Sequence, residues 1–193
     1  MAFIALGITG HRFLADTDKI MAGVERAVRR IRRTYPDSNF RVLSSLAEGS
    51  DRILAKRLLS IPGAVLWVPL PLPKEEYLKD FVTSRSKEEF IHLCGEAERV
   101  VQMPVTEIRE EGYLAAGEYV LEKSDFLLAI WDGLPAQGAA GTAEIVNRAR
   151  QRGLPLVWIH AGNRIPGTET PTSLGPDQGK VTFERFPPSC RKI

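Results

Sequence analysis

At 193 residues, with 44% hydrophobic and 26% charged positions, the chain has the make-up of one globular domain with room for a real core. Its formal net charge of +2 speaks neither for nor against nucleic acid. Two cysteines, Cys94 and Cys190, stand far apart without clustered histidines, which excludes a disulfide framework and argues against a zinc site. The apolar opening Ala2 to Leu6 is too short for a signal-peptide core, and no segment approaches the length of a membrane span, so the expectation is a soluble, cytoplasmic protein without membrane contact.

In chain order, Phe3 to Thr9 is a compact apolar run, read as a buried first strand. Asp16 or Thr17 is placed to cap a helix whose Ile20, Val24, Ala27, Val28 and Ile31 recur at helical spacing and whose other side carries Arg26, Arg29, Arg30 and Arg33, before Pro36 ends it. Phe40 to Ser44 reads as a second strand, Glu48 to Asp51 as a turn, and Arg52 to Ser60 as a second helix. Ala64 to Val68 is a third strand, closed by Pro69, Pro71 and Pro73. The charged stretch Lys74 to Glu98 predicts one or two helices, Arg99 to Met103 a short strand, and Gly112 to Lys123 a helix. Phe126 to Trp131 is the clearest strand; a helix follows Gly141, and Leu154 to Ile159 makes a sixth strand. This alternation predicts an α/β fold: a Rossmann-like, doubly wound, mostly parallel sheet of about six strands with helices on both faces, over residues 1–160. From Ala161 the composition turns to Gly, Pro, Thr and Asp. Residues 161–193 read as an extension, Gly162 to Lys180 being a loop or linker and Val181 to Phe186 a possible extra strand.

Two glycine-punctuated loops, Gly7-Ile8-Thr9-Gly10-His11-Arg12 and Gly138-Ala139-Ala140-Gly141-Thr142-Ala143-Glu144, each join a strand to a helix. Such turns aim backbone N–H groups and a helix N-terminus at an anion. Arg12 can fork onto a phosphate, and His11 is either an acid–base group or a hydrogen-bonding loop residue. Neither the dinucleotide fingerprint nor a Walker A sequence is present, and no cofactor is implied. Between them, Ala47-Glu48-Gly49-Ser50-Asp51 serves equally as a helix cap or as a phosphate and ribose site. Asp132-Gly133 closes the fifth strand, beside Trp131, which suits base stacking or the sheet core. Glu144, in a first helical turn, is dipole-stabilising or catalytic. Tyr113 and Tyr119 read as packing residues.

Taken together these loops resemble the SLOG superfamily of Rossmann-like nucleotide-binding domains, which groups the Lonely Guy phosphoribohydrolases with the DNA-processing protein A core. The similarity runs from about Gly7 to Ile159 and includes Leu46-Ala47-Glu48-Gly49-Ser50-Asp51-Arg52, Leu70-Pro71-Leu72-Pro73 with Tyr77 and Asp80-Phe81, Trp131-Asp132-Gly133 and Gly141-Thr142-Ala143-Glu144. The resemblance implies a nucleotide or nucleotide-derived ligand at the strand C-termini. It also implies a role as a bacterial ligand-sensing module attached to an effector, and homodimers. Backbone groups of Gly10, Gly49, Gly141 and Thr142 would then hold phosphate, with Arg12 adding charge and Glu48 or Asp132 fixing the sugar. The Lonely Guy family places its glutamate three residues after the threonine of Pro-Gly-Gly-x-Gly-Thr. Here Glu144 follows Thr142 by two, a rotation of roughly 100° on a helix, so binding carries over rather than catalysis. The enzyme alternative is cleavage or transfer at an N-glycosidic bond, since the stretch from Asp132 to Glu144 is also similar to nucleoside deoxyribosyltransferases. Glu48, Asp132 and Glu144 are then the candidate carboxylates. Nucleic-acid binding is the third reading, resting on the arginine-rich helix face.

Overall fold

A computed structural model describes residues 3–135 and 141–188. Among these, seven strands form one sheet in the order β4-β3-β2-β1-β5-β6-β7. The strands are β1 (Phe3–Gly10), β2 (Asn39–Leu43), β3 (Val65–Leu70), β4 (Arg99–Gln102), β5 (Phe126–Trp131), β6 (Leu156–His160) and β7 (Val181–Glu184). The first six are parallel, with Gly7 opposite Leu43 on one side of β1 and Gly10 opposite Ile130 on the other; β7 returns antiparallel to β6. The expected doubly wound α/β sheet is present, extended by one strand.

Alternation along the strands explains the layers. Leu6 and Ile8 of β1, with Leu128 and Ile130 of β5, face one core together with Ile20, Val24, Ala27, Val28 and Ile31 of α1 (Thr17–Thr34) and Leu54 and Leu58 of α2 (Ser50–Leu59). Ala5, Leu127, Ala129 and Trp131 face the other, under α5 (Arg109–Lys123) and α6 (Thr142–Gln151). All six residues of β5 are buried, as a strand covered on both faces requires. The stretch 74–98 divides into α3 (Lys74–Tyr77), a 3₁₀ turn (Leu78–Asp80) and α4 (Ser84–Gly95), whose first turn is capped by Thr83 accepting from the Ser86 N–H at 3.1 Å. Tyr77, Phe81 and Phe90 pack edge to face or tilted beneath it.

Asp16 occupies the N-cap position of α1 but makes no side-chain cap, because its carboxylate is taken by Lys19 Nζ at 3.3 Å and the Ser173 hydroxyl at 2.6 Å. The segment expected as a loop or linker after β6 is a loop held down along its length. The buried amide of Gln178 accepts from the N–H groups of Gly162 (2.9 Å) and Leu174 (3.0 Å) and donates to the Ala15 carbonyl (2.8 Å). Arg26 donates to the Gly179 carbonyl at 2.6 Å and Arg30 to that of Pro187 at 3.3 Å. Half of the arginine face noted in the sequence therefore fastens the C-terminal segment to α1. No helix among the described residues is long and apolar enough to cross a membrane.

Gln178→Ala removes all three amide bonds and leaves buried N–H and C=O groups unpaired. It is expected to cost about 2–4 kcal/mol, read as a lower denaturation midpoint in urea with an unchanged slope.

Candidate functional site

The chain winds outward from β1 through β2 and β3 to β4, then returns by α5 to β5 on the far side of β1. Connections therefore diverge between β1 and β5, and the strand C-termini there leave a crevice, the usual ligand position in open α/β sheets. A cavity of about 380 Å³ lies at this point. Its floor is Ile8, Thr9 and Gly10 of β1 and Trp131 of β5, and the first residues of α6, Thr142 and Ala143, reach it beside Gly141.

The walls are built by a clamp between two loops. The His11 carbonyl accepts both the Ser50 N–H (3.1 Å) and the Ser50 hydroxyl (2.7 Å), while the His11 N–H donates to Ile130 O at 3.0 Å. This approach is close enough to require glycine twice. A Cβ on Gly10 would overlap Ser50 and the Ile130 carbonyl, and one on Gly49, whose φ is +77°, would overlap the Arg12 carbonyl. Leu46 also sits in the left-handed region, at φ 58°. Its N–H donates to Ser44 Oγ (3.0 Å), its carbonyl accepts from Arg52 Nε (3.0 Å) and its side chain is fully buried, so the surrounding structure fixes the strained loop.

Polar groups line the cavity in two sets. In the first, His11 Nε2 accepts the Asp132 N–H at 3.1 Å and lies 3.3 Å from Asp132 Oδ2. Burial alone would raise the Asp132 carboxyl, but the neighbouring His11 imidazole and the hydrogen bond from the Leu134 N–H (2.9 Å) outweigh it and hold the group below the usual carboxylate range. In the second, Asp51 accepts the Ser44 hydroxyl at 2.9 Å and is only 7% exposed. Desolvation dominates there, and its carboxyl is pushed up to about 6 despite the Ser44 bond and the nearby Arg12. Tyr77 lies beside it, and burial foremost, then the Asp51 charge, pushes its phenol up. Arg12 lies 3.7 Å from Asp80, which also takes Arg109 and the Tyr113 hydroxyl.

Of the residues singled out in the sequence, Thr9, Gly10, His11, Arg12, Ala47, Asp51, Trp131, Asp132, Gly141 and Thr142 line this cavity. Six do not. Gly7 lies within β1, where a side chain would overlap Ser124 and Val120 of α5. Gly49 and Ser50 are consumed by the clamp, and Gly133 packs on Trp158. Glu48 turns to a separate shallow concavity, where its carboxylate accepts the Ser86 hydroxyl. Glu144 is paired with Arg148 at 2.7 Å, which also holds Glu118 at 2.6 Å. Two of the three carboxylates expected to be catalytic are thus outside the cavity. Gly138 lies outside the described residues. Trp131 is buried against Trp158 at 5.3 Å and under Arg150 at 5.4 Å, so its faces are occupied.

The structure adds Phe13, Tyr113, Asn163 and Arg164 to the lining. Tyr113, expected to be packing, lines the cavity, whereas Tyr119 packs on the α5–α6 core. Asn163 and Arg164 come from the segment read as linker, and Arg164 lies over the Phe13 ring at 4.9 Å. The one sequence signal for them is the composition change after β6, which marks a loop without saying where it lands.

The fold and cavity thus define an open α/β protein with a polar crevice at its switch point. No protein-family model matches the chain, and no curated protein matches it.

Asp51 makes a checkable contribution to stability. Its folded-state value of about 6 lies above the ordinary 3.8, so the native state binds the proton more tightly. The stabilisation is fully present below about pH 4 and is lost as pH rises through 6. Asp51→Asn removes this slope. Relative to the wild type, the variant should gain on the order of 3 kcal/mol between pH 4 and 7, measured by denaturant unfolding at each pH.

Proposed function

We propose that the protein binds a nucleotide or nucleotide-derived small molecule in the cavity between β1 and β5. One observation carries the reading: the α6 N-terminus and the clamped loop bearing Arg12 converge on a cavity of about 380 Å³ at the switch point of a parallel sheet. That volume falls within the usual range for small-ligand pockets, roughly 300–1,000 Å³. A helix N-terminus with exposed N–H groups and an adjacent guanidinium is suited to a phosphate. Thr142 and Ala143 are assigned to it, with Arg12 and Arg164 supplying charge. Phe13, partly exposed at the cavity, offers a base the ring face opposite Arg164, in place of Trp131. The function is sensing rather than turnover, in line with Glu144 being held by Arg148.

A second reading is an enzyme acting at an N-glycosidic bond, and it rests on Asp51 and Asp132, two cavity carboxyls in opposite electrostatic environments. For nucleic-acid binding, Arg29 and Arg33 of the α1 face stay exposed.

Thermal-shift titration against nucleoside mono-, di- and triphosphates, ADP-ribose, NAD and cyclic dinucleotides tests the reading, with each mixture analysed afterwards by chromatography. Stabilisation with intact ligand is expected, because a ligand that prefers the native state raises its apparent stability. Thr142→Ala and Arg12→Ala should each weaken binding by about tenfold, the loss of one charge-assisted or hydroxyl contact. Released base would favour the enzyme, and no shift with any compound would remove the nucleotide reading.

A further inference from the structure

Asp51 is a buried carboxyl that lines the cavity between β1 and β5. Every element around it presents a specific group. The end of β2 supplies the Ser44 hydroxyl, the β2–α2 loop the Ala47 N–H, and α2 the neighbouring Arg52. The β1–α1 loop contributes Arg12, and α3 contributes Tyr77. Beyond Arg12 stand Asp80 and, from α5, Tyr113 and Arg109. Arg52 is itself engaged by Leu46, Ser86 and Glu89. Arg12, ahead of Arg52, is the larger cationic influence on Asp51, and it is shared with Asp80.

Resting on the reading of the cavity as a nucleotide site, we infer that Asp51 is its acid–base ligand contact, which takes up a proton when an anionic ligand enters and then faces that ligand as a neutral hydrogen-bond donor. Three consequences of filling the cavity act in the same direction. The ligand removes the remaining water from Asp51, its negative charge opposes the carboxylate, and it draws Arg12 away from Asp51. The free carboxyl already titrates near neutrality, at about 6, so this uptake falls within the range where proteins bind nucleotides. The carboxyl thereby makes affinity depend on pH and selects ligands that offer an acceptor at that wall.

The test is calorimetric titration of the wild type and Asp51→Asn with each of the four nucleoside 5′-monophosphates, from about pH 5.5 to 8.5, in two buffers of different ionisation enthalpy. The phosphate's own titration, with its second pKa near 6, is common to both proteins, so their difference reads Asp51. The ratio of wild-type to variant affinity should fall by up to about tenfold per pH unit above 6, with extra proton uptake by the wild type. Parallel profiles would overturn the inference while leaving the nucleotide site standing. Failure of all four to bind at any pH would overturn the inference; failure of every nucleotide and nucleotide derivative would remove the site as well. If the variant does not fold, carbon-13 NMR of the wild-type Asp51 carboxyl decides. Its midpoint should rise on adding the monophosphate, and an unchanged or lowered midpoint would refute the assignment.

Discussion

The molecule depends most on the junction where Ser50 gives both its N–H and its hydroxyl to the His11 carbonyl. That contact joins the loop leaving β1 to the loop leaving β2, and it does so at a separation that admits no Cβ at Gly10 or Gly49. Once the loops are locked, His11 is turned to Asp132 at the end of β5, Arg12 is carried toward Asp51 and Asp80, and α2 starts at a defined place. The cavity is what remains between these fixed pieces and the start of α6. A buried carbonyl accepting two bonds from one residue resists sliding, because both donors would be lost together in a region that water does not reach.

The C-terminal segment has a comparable role at longer range. Gln178 joins the turn after β6 to Ala15, two residues before α1, and Arg26 holds Gly179. These bonds bring Asn163 and Arg164 to the mouth of the cavity. A stretch rich in glycine and proline, which by composition belongs to no regular element, thus completes the site that the six parallel strands outline. The antiparallel β7 does for the sheet what Gln178 does for the loop. It covers the edge of β6 and anchors the chain end over α1.

The electrostatics of the cavity follow from the same construction. The hydrogen bonds at Asp132 outweigh its burial, whereas Asp51 is more deeply buried and neither its bonds nor the charges of Arg12 and Arg52 offset the loss of water. Two chemically identical groups in one cavity therefore stand in opposite electrostatic environments. In the sequence each stands at a strand-to-helix turn beside a glycine or a serine, which does not tell them apart.

Local pattern was enough for the layers: apolar runs of strand length alternating with amphipathic helices leave a parallel sheet as the compact arrangement, and the burial of β5 on both faces follows from its uninterrupted apolar run. The glycines at 10, 49 and 141 likewise marked the strand-to-helix turns. Which neighbour each glycine serves was decided only by tertiary structure, because a missing Cβ can admit a ligand or another backbone, and the chain uses Gly49 for the latter. Glu48 and Glu144 stand near those turns in the sequence, yet a side chain's direction depends on helix phase and on the partner that reaches it, here Ser86 and Arg148. Tyr113, Asn163 and Arg164 became cavity residues through contacts spanning long stretches of chain. Periodicity is a property of neighbours in sequence, and a site is made by neighbours in space.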